Sequence, residues 1–99
     1  MVKLVALYRR PPDPIAFDRH YAHTHLPLIR KMPGLRRLEV WRITGAPGGE
    51  SPYALIAEMY FDDQDALRGA LRSPEGRAAG DDLQRFAAGL VTMVYAQAE

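Results

Sequence analysis

The 99 residues of this chain leave room for one domain, and we expect residues 1–99 to form it. Hydrophobic residues make up 47% and charged residues 25%, which is typical of a folded rather than a disordered chain. The net charge of +1 does not indicate the basic surface of a nucleic-acid-binding protein. The chain has no cysteine, which excludes disulfides, thiolate metal sites and a cysteine nucleophile. No run approaches the roughly 18 apolar residues of a membrane span, so we expect a cytoplasmic protein without a membrane or nucleic-acid partner.

Apolar runs bounded by proline and glycine divide the chain into strands and helices. The predicted order is β-α-β-β-α-β, at residues 2–8, 14–32, 35–44, 53–61, 63–89 and 90–96. A Gly/Pro-rich hairpin loop joins the two middle strands. This order predicts an α+β, ferredoxin-like fold with a four-stranded antiparallel sheet.

Capping residues mark the predicted helix starts. Asp13, followed by proline, begins the first helix, and Asp62 is the predicted cap of the second helical region. Ser73, also followed by proline, restarts that region. Pro27 lies inside the first helical pattern, and because it has no N–H we expect a kink or a helix restart there.

The strands are apolar on both faces, although two helical regions can cover only one face of a sheet. On the leaner face we count six apolar residues, namely Val5, Leu7, Val40, Ile56, Tyr60 and Val94. Leaving them in water forfeits roughly 9–18 kcal/mol, which is comparable to the stability of a whole domain. We therefore expect a homodimer in which the two sheets pack face to face.

The first helix contains all three histidines and supplies the main catalytic candidate. A helical wheel places six residues within an arc of about 100° facing the sheet: Phe17, Tyr21, Thr24, His25, Leu28 and Met32. His20 lies at the edge of this arc and His23 outside it. A buried histidine beside a helix break suits general acid–base chemistry, and the alternative is a purely structural core histidine.

Other chemical groups give weaker signals. The carboxylates Glu39 and Glu58 interrupt apolar strands. They either pair with Arg37 or Arg42 in the dimer interface, or they orient His25 or bind substrate. Aromatic side chains, Phe86 among them, either pack in the core or line a pocket for a ring-shaped ligand. The spacing of the histidines gives no complete ligand set, so we expect neither a metal nor a cofactor.

Several motifs, in the same order along the chain, resemble the EthD family. They lie at residues 8–17, at Tyr21, and at 25–28 (HLPL), 33–35 (PGL), 58–61 (EMYF), 73–76 (SPEG) and 82–86 (DLQRF). The resemblance covers essentially the whole chain. It implies membership of the dimeric α+β barrel superfamily, whose subunits pack sheet against sheet and hold a pocket between helices and sheet.

The resemblance also implies a role for particular residues. His25 is the candidate acid–base residue, and the candidate substrate-binding residues are Phe17, Tyr21, Leu28 and Phe86. The expected protein is a small enzyme of catabolism or secondary metabolism acting on an apolar oxygenated or aromatic molecule. Its chemistry would be that of an isomerase, a cyclase or a cofactor-free monooxygenase. The alternative is a non-catalytic binding or accessory protein that supports an oxygenase system.

Overall fold

The computed structural model describes residues 1–99 and has the predicted order of elements. The elements are β1 (Val2–Arg9), α1 (Pro14–His20), a π-helical turn (Tyr21–His25), α2 (Leu26–Arg30), β2 (Arg37–Arg42), β3 (Tyr53–Phe61), α3 (Gln64–Arg72), α4 (Pro74–Ala87) and β4 (Val91–Gln97). All strand pairs are antiparallel, in the order β2-β3-β1-β4. This confirms the ferredoxin-like α+β fold. None of the helices has the length and apolar character that crossing a membrane would require.

Strand pairing decides which residues face the helices. Leu4 of β1 lies opposite Met59 of β3, and all helix-facing residues of these two strands are buried. Glu58 is on the other face of β3, so the helices cover the side opposite to it. The placement of Val40 on the leaner, open face is wrong, because Val40 pairs with the fully buried Ala57 and therefore faces the helices.

The open face carries apolar groups and two ion pairs. Trp41, not Val40, is the apolar residue of β2 on this face, and it is 59% exposed. Glu39 pairs with Arg37 at 3.1 Å, as predicted. Glu58 instead pairs with Lys3, its diagonal neighbour on β1, whereas Val5 lies directly opposite Glu58. Neither glutamate hydrogen-bonds His25, so the prediction that one of them orients this histidine is wrong.

A π-helical turn interrupts the first helix one turn before Pro27. The backbone N–H of Leu26 donates to the carbonyl of Tyr21, five residues back, which is the π pattern. Because Pro27 has no N–H, the α-helical ladder cannot run unbroken through this point, and α2 restarts at Leu26. The predicted helix restart is confirmed.

The wide turn changes which side chains face the sheet. Phe17, Tyr21, His25 and Ile29 are all buried, at a spacing of four residues. In a regular α-helix three such steps would rotate a side chain by about 120° away from its starting face. The π turn takes up this rotation and keeps His25 over the sheet, whereas Thr24 of the predicted arc is exposed.

Two of the three predicted helix caps are in place. The side chain of Asp13 accepts from the N–H of Ala16 at 3.1 Å, and Ser73 caps α4. The predicted Asp62 cap is wrong, since Asp63 accepts from the N–H of Ala66 at 2.8 Å. The Asp62 carboxylate instead pairs with a guanidinium on the protein surface.

Candidate active site

A cavity of about 100 Å³ lies between the helices and the sheet. Its lining is mostly apolar and comes from both strands and helices, including Leu4, Ala6, Met32, Met59, Leu83 and Met93. Two ionisable side chains, His25 and Tyr8, also reach its wall. A concave, largely apolar space with a few polar groups is the usual form of a small-molecule site.

His25 is held in one orientation by a buried carboxylate. The ring is only 2% exposed, and its Nδ1 lies 3.0 Å from Oδ2 of Asp82, a residue of α4 that is itself 4% exposed. A carboxylate only accepts hydrogen bonds, so Nδ1 carries the proton and donates it to Asp82. Nε2 therefore has a free lone pair, and it makes no hydrogen bond within the chain.

The surroundings of His25 favour its neutral form. Burial is the main influence, and it lowers the pKa of His25 below the usual histidine value because a charged ring is poorly solvated there. The hydrogen bond and the charge of Asp82 oppose this change, and His20 adds to it. At neutral pH the ring is therefore an uncharged base with its lone pair on Nε2.

Asp82 also binds a second histidine. The Nε2 atom of His20 lies 2.8 Å from Oδ1 and 3.0 Å from Oδ2 of Asp82. The ring of His20 stacks on Phe86 with centroids 4.6 Å apart, and its side chain is 34% exposed. No lysine or arginine pairs with this carboxylate, so its only side-chain partners are the two histidines.

Two tyrosines complete the polar groups near the cavity. Burial raises the pKa of Tyr8 well above its usual range and that of Tyr21 to about 12, so both hydroxyls are protonated at neutral pH. The two rings are 5.4 Å apart in an edge-to-face arrangement, but their hydroxyls are not hydrogen-bonded to each other. The Tyr21 hydroxyl is buried without any partner in the chain.

Of the five residues singled out in the sequence, His25 is the one that lines this cavity. Tyr21 and Phe86 pack against the His25 ring, with centroids 5.7 and 4.8 Å away. Phe17 stacks on Tyr21, and together with Phe86 it lines a separate surface cleft on the far side of this aromatic cluster. Leu28 is half-buried and packs against the edge of the core.

Asp82 is the residue of the candidate site that the sequence analysis missed. It formed part of a family motif, but we gave it no role because its partners are 57 and 62 residues away in the chain. A local signal was present. Ala79 and Leu83 of the same helix are buried, so a wheel of α4 places Asp82 among core residues, where an unpaired carboxylate would be costly.

The histidine–aspartate cluster does not have the form of a metal site. Each histidine directs a ring nitrogen at Asp82 rather than at a shared point in space. No group of three or more histidine, aspartate or glutamate side chains is placed to hold one ion. The arrangement is suited to holding and moving protons at His25.

Distant solved structures share the fold. SnoaB, a cofactor-independent oxygenase from Streptomyces nogalater, is 18% identical, with a TM-score of 0.71 over 99% of this chain and 92% of that chain. A dimeric protein of unknown function with a ferredoxin-like fold, from Bacteroides fragilis, is 22% identical, with a TM-score of 0.68 over 98% and 95% of the two chains. At these identities the likeness concerns the fold alone.

Closer relatives define the family. An ethyl tert-butyl ether D (EthD) family protein from Bacillus halodurans C-125 is 50% identical, with a TM-score of 0.97 over 100% of this chain and 99% of that chain. An uncharacterized 11.0 kDa protein in the thcB–thcC intergenic region of Rhodococcus erythropolis is 33% identical over 100% of this chain and 96% of its own length. The model of the EthD domain matches residues 9–89. The resemblance found in the sequence is thus confirmed, and the chain belongs to the EthD family.

Proposed function

We propose that this EthD protein is a small enzyme that moves a proton on a bound organic molecule, with His25 as its catalytic residue. One observation carries the proposal. His25 lies on the wall of an apolar cavity, and Asp82 fixes its ring so that the unprotonated Nε2 is free to react. A histidine that only filled space in the core would need neither the cavity nor a free nitrogen.

The proposed chemistry starts with a carbon–hydrogen bond next to a carbonyl group, or with a phenol. The Nε2 atom of His25 removes the proton. The electron pair of the broken bond moves onto the carbonyl oxygen in the first case and stays on the phenolic oxygen in the second. Asp82 then stabilises the imidazolium through its hydrogen bond to Nδ1. The protonated hydroxyl of Tyr8, on the same cavity wall, is the candidate donor to the developing oxyanion.

The fate of the proton decides the reaction class. Its return from His25 to a different carbon or oxygen isomerises the molecule, and attack of the carbanion on a second carbonyl of the same molecule closes a ring. Cofactor-free oxygenation would instead need molecular oxygen to accept electrons from the anion. The likeness of the fold to SnoaB, a cofactor-independent oxygenase, is compatible with this third class.

The cavity also limits the ligand. Its lining contains no lysine or arginine, and the carboxylate of Asp82 stands behind His25, so an anionic ligand would gain no counter-charge. An apolar cavity of about 150 Å³ is known to admit benzene. The cavity here is smaller, about 100 Å³, so one small ring or a short branched chain is the upper limit for a ligand enclosed in it. We therefore propose an uncharged, mostly apolar molecule with an oxygen near His25.

Exchange of carbon-bound hydrogen for deuterium tests this function without knowledge of the natural substrate. Cyclohexanone, incubated with the protein in D2O, should lose its α-proton signals in the NMR spectrum faster than with buffer alone. His25→Ala should lower the protein-dependent rate by about 100- to 10,000-fold, the usual contribution of a general base. His23→Gln is the matched control, because His23 is an exposed histidine in the same π-helical turn.

The outcome distinguishes the enzyme from the accessory protein. Exchange that survives in His25→Ala would contradict the catalytic role of His25. Binding of cyclohexanone to the wild-type protein without any exchange, seen as shifts of the amide signals around the cavity, would favour the non-catalytic alternative. Native mass spectrometry of the protein purified from cells would then identify the molecule that it carries.

We further propose that two copies of the chain pack through their open sheet faces. Trp41 and Val94 are 59% and 45% exposed there. The rest of this face is mostly apolar, with the exposed Thr92 and the two ion pairs as its polar groups. A hydrophobic surface of this kind is typical of an interface between subunits. A monomer in sedimentation velocity at micromolar concentration would contradict this part of the proposal.

A further inference from the structure

The carboxylate of Asp82 accepts hydrogen bonds from two histidines that differ in their exposure to solvent. Its Oδ2 atom lies 3.0 Å from Nδ1 of His25 and 3.0 Å from Nε2 of His20, which also contacts Oδ1 at 2.8 Å. The His25 side chain is 2% exposed, whereas that of His20 is 34% exposed. A single buried negative charge is therefore shared by one ring inside the core and one ring at the surface.

This sharing makes the two histidines compete for one proton. With both rings neutral the cluster carries one negative charge, and the first added proton neutralises it. A charged ring is better solvated at the surface than inside the core, so this proton goes to His20. A second proton, on His25, would then have to enter a cluster whose negative charge is already compensated.

We propose that His20 is a positioning residue for His25, which holds the shared carboxylate in place and takes up the proton that His25 would otherwise receive. His25 then remains an uncharged base under mildly acidic conditions, with its Nδ1–H still directed at Asp82. The importance of this device for catalysis rests on the proposed function. The competition between the two histidines does not, because it follows from the folded chain alone.

The other titratable groups around His25 do not disturb this competition. Tyr8 on β1 and Tyr21 in the π-helical turn are both protonated and uncharged over the relevant pH range. On its outer side, His20 lines a surface cleft that also contains Asp13, and this carboxylate forms no ion pair with it. Asp82 is therefore the charged group that links the two rings.

Long-range proton–nitrogen NMR of the imidazole rings tests the inference directly. In the wild-type protein the nitrogen signals of His25 should show a small step at the pH where His20 titrates, before their own main transition. His20→Gln keeps an N–H that can donate to Asp82 but cannot take up a proton. In this variant His25 should titrate at higher pH, by about one unit, because it no longer competes for the charge of Asp82.

His23→Gln is again the matched control and should leave the titration of His25 unchanged. The same titration curve for His25 in the wild-type protein and in His20→Gln would overturn the inference. If His20→Gln does not fold, the two-step titration of His25 in the wild-type protein decides, and a single step unaffected by His20 overturns the inference equally.

A catalytic readout separates this inference from the proposed function. In the cyclohexanone exchange assay, His20→Gln should lower the rate several-fold near pH 5.5 and leave it unchanged near pH 8, since only the protonation of His25 is altered. A loss that is equal at all pH values would indicate a merely structural role for His20 and contradict the inference. Absence of exchange in the wild-type protein would contradict the proposed function, while the NMR titration would still test the competition.

Discussion

Two carboxylates lie in mostly apolar surroundings on opposite sides of the sheet. Asp82, on the helix side, has a side chain that is 5% exposed and binds only histidines. Glu58, on the open side, is 15% exposed and binds Lys3. The hydrogen bond to Glu58 raises the pKa of Lys3 above its ordinary value, so this partner stays charged at any physiological pH.

The difference between these partners indicates a structural role for the charge of Glu58 and a role in proton transfer for the charge of Asp82. A lysine neutralises Glu58 permanently, and the pair contributes position and specificity to the surface on which it lies. The partners of Asp82 are histidines, a residue type that gains and loses a proton far more readily than lysine does, so the state of this cluster can follow the gain or loss of a proton in the cavity. Chemistry is therefore expected at Asp82 and assembly at Glu58.

The largest effect that tests this comparison is expected for Asp82→Asn. An amide can donate to Nδ1 of His25, which would move the ring proton to Nε2 and remove the free base from the cavity. We expect the cyclohexanone exchange rate to fall by about 1,000- to 10,000-fold, as when a histidine is held in the wrong tautomer. Asp81→Asn is the control, because Asp81 is the neighbouring exposed residue of α4.

Equal exchange rates in Asp82→Asn and Asp81→Asn would remove the distinction between the two carboxylates. The folded state of Asp82→Asn is checked separately by its amide spectrum. Retention of the spectrum with loss of exchange assigns the effect to the ring of His25 rather than to unfolding.

A smaller effect, on assembly, is expected at Glu58. If the open faces pack together, Glu58→Leu leaves the charge of Lys3 without a partner inside the interface, at a cost of about 3–5 kcal/mol. The dimer should then dissociate at concentrations at which the wild-type protein is paired, as measured by sedimentation equilibrium. The double variant Lys3→Met with Glu58→Leu should restore the dimer, since two apolar side chains replace a buried ion pair without loss.

One outcome for the Glu58 variants would contradict the role of Glu58 in assembly. If Glu58→Leu assembles as well as the wild-type protein, Glu58 lies outside the interface. In that case the open face has another role, and the assignment of chemistry to Asp82 and assembly to Glu58 no longer holds for Glu58.

The architecture could be predicted because local signals agree with it. The bounds of β3 were predicted to the residue, since an apolar run is closed by Pro52 on one side and by two aspartates on the other. Asp13 and Ser73 begin helices through side-chain hydrogen bonds within three residues. Contacts this short in the sequence need no knowledge of the rest of the chain.

The candidate site could be predicted only in part, because it depends on long-range geometry. A wheel of 3.6 residues per turn placed His25 correctly but also turned Thr24 inward, since nothing in the wheel anticipates a π turn. Asp82 meets His25 across 57 residues of chain. The prediction for Val40 is wrong because strand pairing, not hydrophobicity, decides which of the two neighbouring apolar residues, Val40 or Trp41, points to the open face.

The smallest expected effect concerns stability, and it sharpens the contrast between a fixed and a titrating partner. Because the folded chain lowers the pKa of His25, the unfolded chain binds a proton at His25 more readily than the folded one. Stability from this residue is therefore complete above the ordinary histidine value of about 6.5 and is lost as the pH falls below it. The loss is at most about 1.4 kcal/mol per pH unit for one group.

Urea unfolding at pH 7.5 and pH 5.5 measures this loss. His25→Gln should reduce the fall in unfolding free energy between the two pH values, and His23→Gln, at an exposed position, should not. The opposite result is expected for Glu58, because its partner Lys3 does not titrate between pH 5.5 and pH 7.5. Glu58→Gln should therefore leave the fall in unfolding free energy between these two pH values unchanged. A wild-type fall that persists in full in His25→Gln would mean that the proton enters elsewhere. That result would contradict the conclusion that His25 is a neutral, buried base, on which the proposed chemistry depends.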